Sequence, residues 1–162
     1  MQDLLPKAEK IAALLKARKE TVGVAESSSG GLVSAALLSV AGASVYFQGG
    51  GVIYTRIART ALIGITNAEL EGIRSSSEPY ARLLARTVRH RLTATWGIAE
   101  TGAAGPTGNS YGDSAGHTCL GITGPVEKVF TLETASGDRV ANMRAFAAKL
   151  LDLFTEVLES HE

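Results

Sequence analysis

The sequence predicts an α/β domain in which helices cover a central mixed sheet, and three observations carry that prediction. Stretches with apolar residues at helical spacing alternate with short β-like runs. No linker long enough to divide the chain interrupts them. Toward the C-terminus two β-like runs are separated by the turn Gly124-Pro125, which reads as a hairpin and makes the sheet mixed. At 162 residues the chain is expected to fold as one domain, residues 1–162, with a substantial core.

Leu4, Leu5, Ala8, Ile11, Ala12 and Leu15 recur at helical spacing with lysines on the other faces, which predicts an amphipathic first helix. Residues 21–25 then read as a strand, followed by an apolar helix from Leu32 to Leu38. Residues 50–55 read as a second strand and 57–63 as a short helix, while Thr66-Asn67 caps another short helical piece through Ile73. Ser77-Glu78-Pro79 joins an N-cap to an early proline and opens a helix whose buried stripe is Tyr80, Leu83, Leu84, Thr87, Val88 and Leu92. Strands are expected at 95–101, 117–123 and 126–132, and a final helix from near Asp138 to Leu158. The glycine-rich segment from Gly102 to Gly116 reads as a site loop, because α/β sheets gather ligands at the carboxyl ends of their strands.

Composition excludes several classes. The 16 basic and 16 acidic residues balance, so no electrostatic signal points to nucleic acid or to an anionic membrane. The single cysteine, Cys119, sits in an apolar run and reads as a buried thiol. No stretch has the length and uniform apolarity of a membrane span, and the first helix is not a signal peptide, so a cytoplasmic location is expected. No Cys, His and carboxylate cluster has metal-ligand spacing, and neither metal nor cofactor is expected.

The strongest local signal is residues 21–31, TVGVAESSSGG, where a β-like run ends in a carboxylate, three hydroxyls and two glycines before a helix. Unpaired backbone N–H groups and the positive end of the helix dipole make such a junction a site for an anion or a polarised carbonyl, and a hydroxyl there a candidate nucleophile. Helix capping by Ser27, Ser28 or Ser29 is the alternative reading of the same residues.

Four further motifs follow in order: VYFQGGGVIYTRIAR at 45–59, AETGAAGPTG at 99–108, AGHT at 115–118 and SGDR at 136–139. Together with AESSSGG they resemble the CinA carboxy-terminal domain family, whose patterns run approximately ESCTGG, YFxGGxxxYSNxxK, SGIAGP or TGIAGP, PVGTV and GDR. The resemblance implies a three-layer α/β/α sandwich with a central mixed sheet. It also implies hydrolysis of nicotinamide mononucleotide (NMN) to nicotinate mononucleotide and ammonia, and a homo-oligomer. By position in the motifs, Ser27 is the implied nucleophile, with Tyr54 and Arg59 as its catalytic neighbours. Glu26, Ser29, Gly30, Gly31, Thr101, Gly102, Gly105 and Arg139 are the implied substrate-binding residues. The partner is then a small pyridine nucleotide, with no nucleic acid and no membrane.

Several positions depart from the pattern. Arg59 stands where the family has lysine and Arg56 where it has asparagine; an arginine stays protonated and cannot serve as a general base. Glu100 replaces an apolar residue, and a carboxylate inside the fold requires a partner, for which Arg56 and Arg59 are candidates, unless it faces solvent. His117 and Thr118 replace Thr-Val, and His117 is a candidate for the missing base. The alternative function is therefore a weakened or inactive paralogue that binds a pyridine nucleotide without deamidating it.

Overall fold

A computed structural model describes residues 1–161, so the last residue of the expected 1–162 domain lies outside the described residues. Five strands form one sheet in the order β2-β1-β3-β4-β5: β1 (Val22–Glu26), β2 (Phe47–Val52), β3 (Trp96–Ala103), β4 (His117–Thr123) and β5 (Lys128–Glu133). The first three are mutually parallel where they pair, and β4 and β5 run antiparallel. The expected mixed sheet and terminal hairpin are both present.

Helices α1 (Leu5–Arg18), α2 (Leu32–Leu38) and α5 (Arg139–Ser160) cover one face. Ile11, Leu15, Leu37, Leu150 and Phe154 pack there against Val22, Val24, Trp96 and Ile98 of the sheet. Helix α4 (Glu78–Arg91) covers the other face, joined by α3 (Arg56–Ile63), with Tyr80, Leu84 and Val88 against Ala25 and Ala99. Glycines set the closeness of α4: a Cβ on Gly97 would lie 2.0 Å from the Ala85 carbonyl oxygen, and one on Gly121 2.5 Å from that of Ala81. Burying a large side chain in such a core stabilises by about 1.5–3 kcal/mol.

The main difference from expectation is β2, which spans Phe47–Val52 rather than 50–55. Edge pairing with β1 runs through the glycine triplet and ends when Ile53 N donates to the Glu26 carbonyl at 2.6 Å. The chain then leaves the sheet, and Thr55 caps α3 by accepting from Ala58 N at 3.0 Å. The helical piece expected through Ile73 is only a 3-10 turn, Ala68–Leu70. The cap at the start of α4 forms as expected, Ser77 accepting from Tyr80 N, and α5, expected from near Asp138, is capped by that residue, which accepts from Ala141 N.

Candidate active site

The loop between β1 and α2 is held by two buried carboxylates. Glu26 Oε1 accepts from Ser29 Oγ at 2.8 Å, Gly31 N at 3.2 Å and Val33 N at 2.9 Å, and Oε2 accepts from Ser34 N at 2.9 Å. Glu26 thus satisfies the free amides of α2, while Gly31, at φ 97°, takes the left-handed turn. The capping that the alternative reading gave to a serine is done by the glutamate that precedes all three.

Glu100 lies beside it. Strand register pairs Ala25 with Ala99, so Glu26 and Glu100 follow on adjacent parallel strands, and both are fully buried. Glu100 Oε2 accepts from Ser27 N at 3.1 Å, Ser29 N at 2.8 Å and Ser29 Oγ at 2.9 Å. Its Oε1 accepts from Ser28 Oγ at 2.7 Å and Thr118 Oγ1 at 2.9 Å. This corrects the expected pairing with Arg56 or Arg59, and equally the solvent-facing alternative. An arginine is unnecessary because amides and hydroxyls supply the partners that a buried carboxylate needs. Ser28, Glu100 and Thr118 replace three residues of the family pattern, and they form one hydrogen-bonded unit.

On the opposite side of the loop lies a cavity of about 310 Å³. It brings together Ser27, Tyr54, Arg59, Thr101 and Gly102 from the expected set, with Arg56 beside them. Ser27 Oγ makes no hydrogen bond among the described residues, whereas Thr101 Oγ1 accepts from Ser76 N at 3.3 Å. Arg139 reaches the rim, donating to the Gly105 carbonyl and, at 3.3 Å, to the Tyr54 hydroxyl. Glu26, Ser29, Gly30 and Gly31 do not line this cavity, and their groups are engaged: Gly30 N donates to the Ser27 carbonyl.

Tyr80, Tyr111, Ser75 and Ser76 also line the cavity, and sequence reasoning missed them as site residues. Tyr80 had a helical-stripe signature that pointed to the core, and Tyr111 is the aromatic residue of the Gly102 to Gly116 loop. That loop is pinned by Asn109 Nδ2 donating to Asp113 at 2.8 Å and by an Arg74–Asp113 ion pair at 2.7 Å. Burial pushes the Tyr80 phenol up despite Arg59 beside it. The Tyr111 phenol is held below its usual range chiefly by the Ser75 hydroxyl, which outweighs the opposing effect of burial, with smaller lowering contributions from Arg56 and Arg59.

His117 does not face the cavity as a base. Its Nδ1 contacts Glu133, and its Nε2 lies 2.8 Å from the Ser76 carbonyl oxygen. Both partners are acceptors, an arrangement that favours the doubly protonated imidazolium. Burial lowers its pKa, but Glu133, the Ser76 carbonyl and Asp113 outweigh burial and raise it. Among the described residues, no group of three or more His, Cys, Asp or Glu side chains is placed to hold a metal ion, and no helix is long and apolar enough to cross a membrane.

A three-layer α/β domain whose β1–α2 junction presents a serine to a tyrosine- and arginine-lined cavity defines the class. The chain belongs to the CinA C-terminal domain family, whose model matches residues 5–158. CinA-like proteins from Nostoc sp. and Anaeromyxobacter dehalogenans are 34% and 38% identical over 81% and 91% of this chain. Those stretches are 31% and 36% of the relatives' own length, so the chain spans about a third of the curated relatives it matches. Among solved structures, the competence or damage-inducible protein from Enterobacter asburiae is similar with a TM-score of 0.88 at 25% identity, covering 96% of this chain and 98% of that one. The competence/damage inducible protein CihA from Agrobacterium tumefaciens gives 0.88 at 26%, covering 97% and 96%.

Proposed function

We propose that this chain is an amidohydrolase-like protein whose cavity takes NMN and whose Ser27 attacks the carboxamide carbon. The observation that carries the reading is Ser27 itself: it stands at the carboxyl end of β1, its Oγ is free of hydrogen bonds among the described residues, and it lines a cavity of mononucleotide size. The planar faces of Tyr54, Tyr80 and Tyr111 suit a pyridine ring.

In this mechanism the Ser27 Oγ forms a bond to the carbonyl carbon as its proton passes to a cavity base. The C–N bond then breaks, the nitrogen takes up a proton, and ammonia departs from an acyl-enzyme ester. Water attacks that ester to release nicotinate mononucleotide and regenerate the hydroxyl. Arg59 cannot be the base, and His117 has both ring nitrogens engaged outside the cavity. Tyr111 is the group best suited to accept the proton, since the Ser75 hydroxyl and the nearby arginines favour its phenolate. Turnover is therefore expected to be slow.

A second reading, binding without deamidation, is favoured by one specific observation. Glu100 accepts from Ser27 N and Ser29 N, amides that would otherwise be free to stabilise an oxyanion. An ammonia-release assay with NMN, paired with calorimetric binding, separates the two. Release that disappears in Ser27→Ala with NMN affinity retained supports hydrolysis; binding without release supports the second reading. No binding at all sinks both.

A further inference from the structure

Groups able to hold an anion surround this cavity, but most are already committed. At the start of α2, Ser29 N donates to Glu100, Gly30 N to the Ser27 carbonyl, and Gly31, Val33 and Ser34 N to Glu26. The junction that looks like an anion site in the sequence is thus filled from within by the protein's own carboxylates. Arg139 donates to the Gly105 carbonyl and to Tyr54.

Arg56 and Arg59 remain. Both line the cavity, neither makes an ion pair among the described residues, and no carboxylate lines the cavity with them. Arg59 Nε is buried with no hydrogen-bond partner among the described residues, while its guanidinium sits 6.0 Å from the centre of the Tyr80 ring. A buried unpartnered N–H is costly, and two neighbouring cations without a counter-charge repel. Both arginines also sit in the first turn of α3, where the helix dipole is positive. The lowered pKa of Tyr111 reports the same positive field, after the Ser75 hydroxyl.

We infer that Arg56 and Arg59 seat the phosphate monoester of the cavity's ligand. The inference rests on the reading that the ligand is a mononucleotide, and it assigns the two substituted positions of the motif to recognition. A phosphate dianion neutralises both guanidiniums and gives the orphaned Arg59 Nε an acceptor, with Arg59 able to engage it through its planar fork. The nucleoside, lacking that group, leaves both costs in place.

The test is calorimetric titration of the purified chain, and of its Arg56→Gln and Arg59→Gln variants, with NMN, nicotinamide riboside, ribose 5-phosphate and inorganic phosphate. Wild-type protein should prefer NMN over the riboside by about 100-fold or more, and each glutamine variant should lose about 10-fold to 100-fold for NMN and markedly less for the riboside, so that the ratio falls. Arg59→Lys, which loses the planar fork but leaves Arg56 in place, should retain part of the preference, and thermal melting checks that each variant folds. Equal wild-type affinity for NMN and riboside, or glutamine variants that keep the ratio, would overturn the assignment. Arginine-dependent binding of ribose 5-phosphate without NMN binding would uphold the phosphate seat and reject the pyridine reading. Arginine-dependent binding of inorganic phosphate but not of ribose 5-phosphate or NMN would reject a monoester seat, as would failure of every phosphate ligand to bind.

Discussion

Glu26 and Glu100 are joined through a single hydroxyl: Ser29 Oγ lies 2.8 Å from Glu26 Oε1 and 2.9 Å from Glu100 Oε2. A hydroxyl has one hydrogen, so it donates to one of these oxygens at a time. Two fully buried acids on neighbouring strands thus converge on one serine, and the shape of the nucleophile loop depends on that junction.

The first prediction follows from this arrangement. Ser29→Ala removes what is, among the described residues, the only side-chain donor that touches both acids, and should cost about 1–3 kcal/mol in urea denaturation. Glu100→Gln should be tolerated far better, because the amide oxygen still accepts from Ser27 N and Ser29 N and the amide nitrogen can donate to Ser28 Oγ and Thr118 Oγ1. A glutamine variant less stable than Ser29→Ala would contradict the picture of hydroxyls and amides as sufficient partners.

His117 makes the second prediction, a pH dependence of stability. Every group facing it favours its cationic form or stays neutral: Glu133 from β5, Asp113 from the loop at 3.6 Å, the Ser76 carbonyl, and the Cys119 thiol, whose own pKa burial raises. Its folded-state pKa is raised above the ordinary 6.5, so its contribution is full below that value and is lost as pH rises through the folded-state value. Denaturation midpoints should therefore fall from pH 6 toward alkaline pH by more in wild type than in His117→Gln. Parallel curves for the two proteins would remove His117 as the cause.

These residues also mark what could be read in advance. Alternating helix and strand periodicity, the cap at Ser77, the start of the last helix near Asp138 and the terminal hairpin were legible because each is a local property of the chain. The Glu100 network was not. Its partners Ser27, Ser28 and Ser29 stand more than 70 residues away in sequence and meet it only through the β1–β3 register. Its departure from the family pattern flagged an acid in need of a partner, but a search among cations could not find amides and hydroxyls. Tyr111 was illegible for a related reason: its place in the cavity depends on a loop fixed by Asn109, Asp113 and Arg74.

Tyr111 carries the third prediction. With its phenol held below the usual tyrosine range, chiefly by the Ser75 hydroxyl and then by Arg56 and Arg59, ammonia release from NMN should rise with pH as the phenolate forms. Tyr111→Phe should lower kcat with little change in KM and abolish that rise. If it instead raises KM alone, Tyr111 only stacks against the ligand, and the proton leaves Ser27 by another route.

The last prediction concerns Arg59 and Glu100, two substituted positions that the sequence invites one to pair. Glu100 accepts from the Ser27–Ser29 loop and Thr118, while Arg59 lies on α3 in the cavity, and the two share no hydrogen-bond partner. Arg59→Lys therefore does not leave a carboxylate stranded beside the new ammonium. A partly buried lysine next to Arg56 and Tyr80 is pushed toward its neutral form by burial and by like charge, which makes it a usable base. Arg59→Lys alone should raise kcat for NMN, and it should also raise KM because a bidentate phosphate contact is lost. Adding Glu100→Gln should change kcat/KM by a factor independent of residue 59, with a coupling below about 0.5 kcal/mol. A larger coupling would mean that the loop amides and the residue at 59 act on the same atom of the substrate, and that the oxyanion is stabilised from both sides of the cavity.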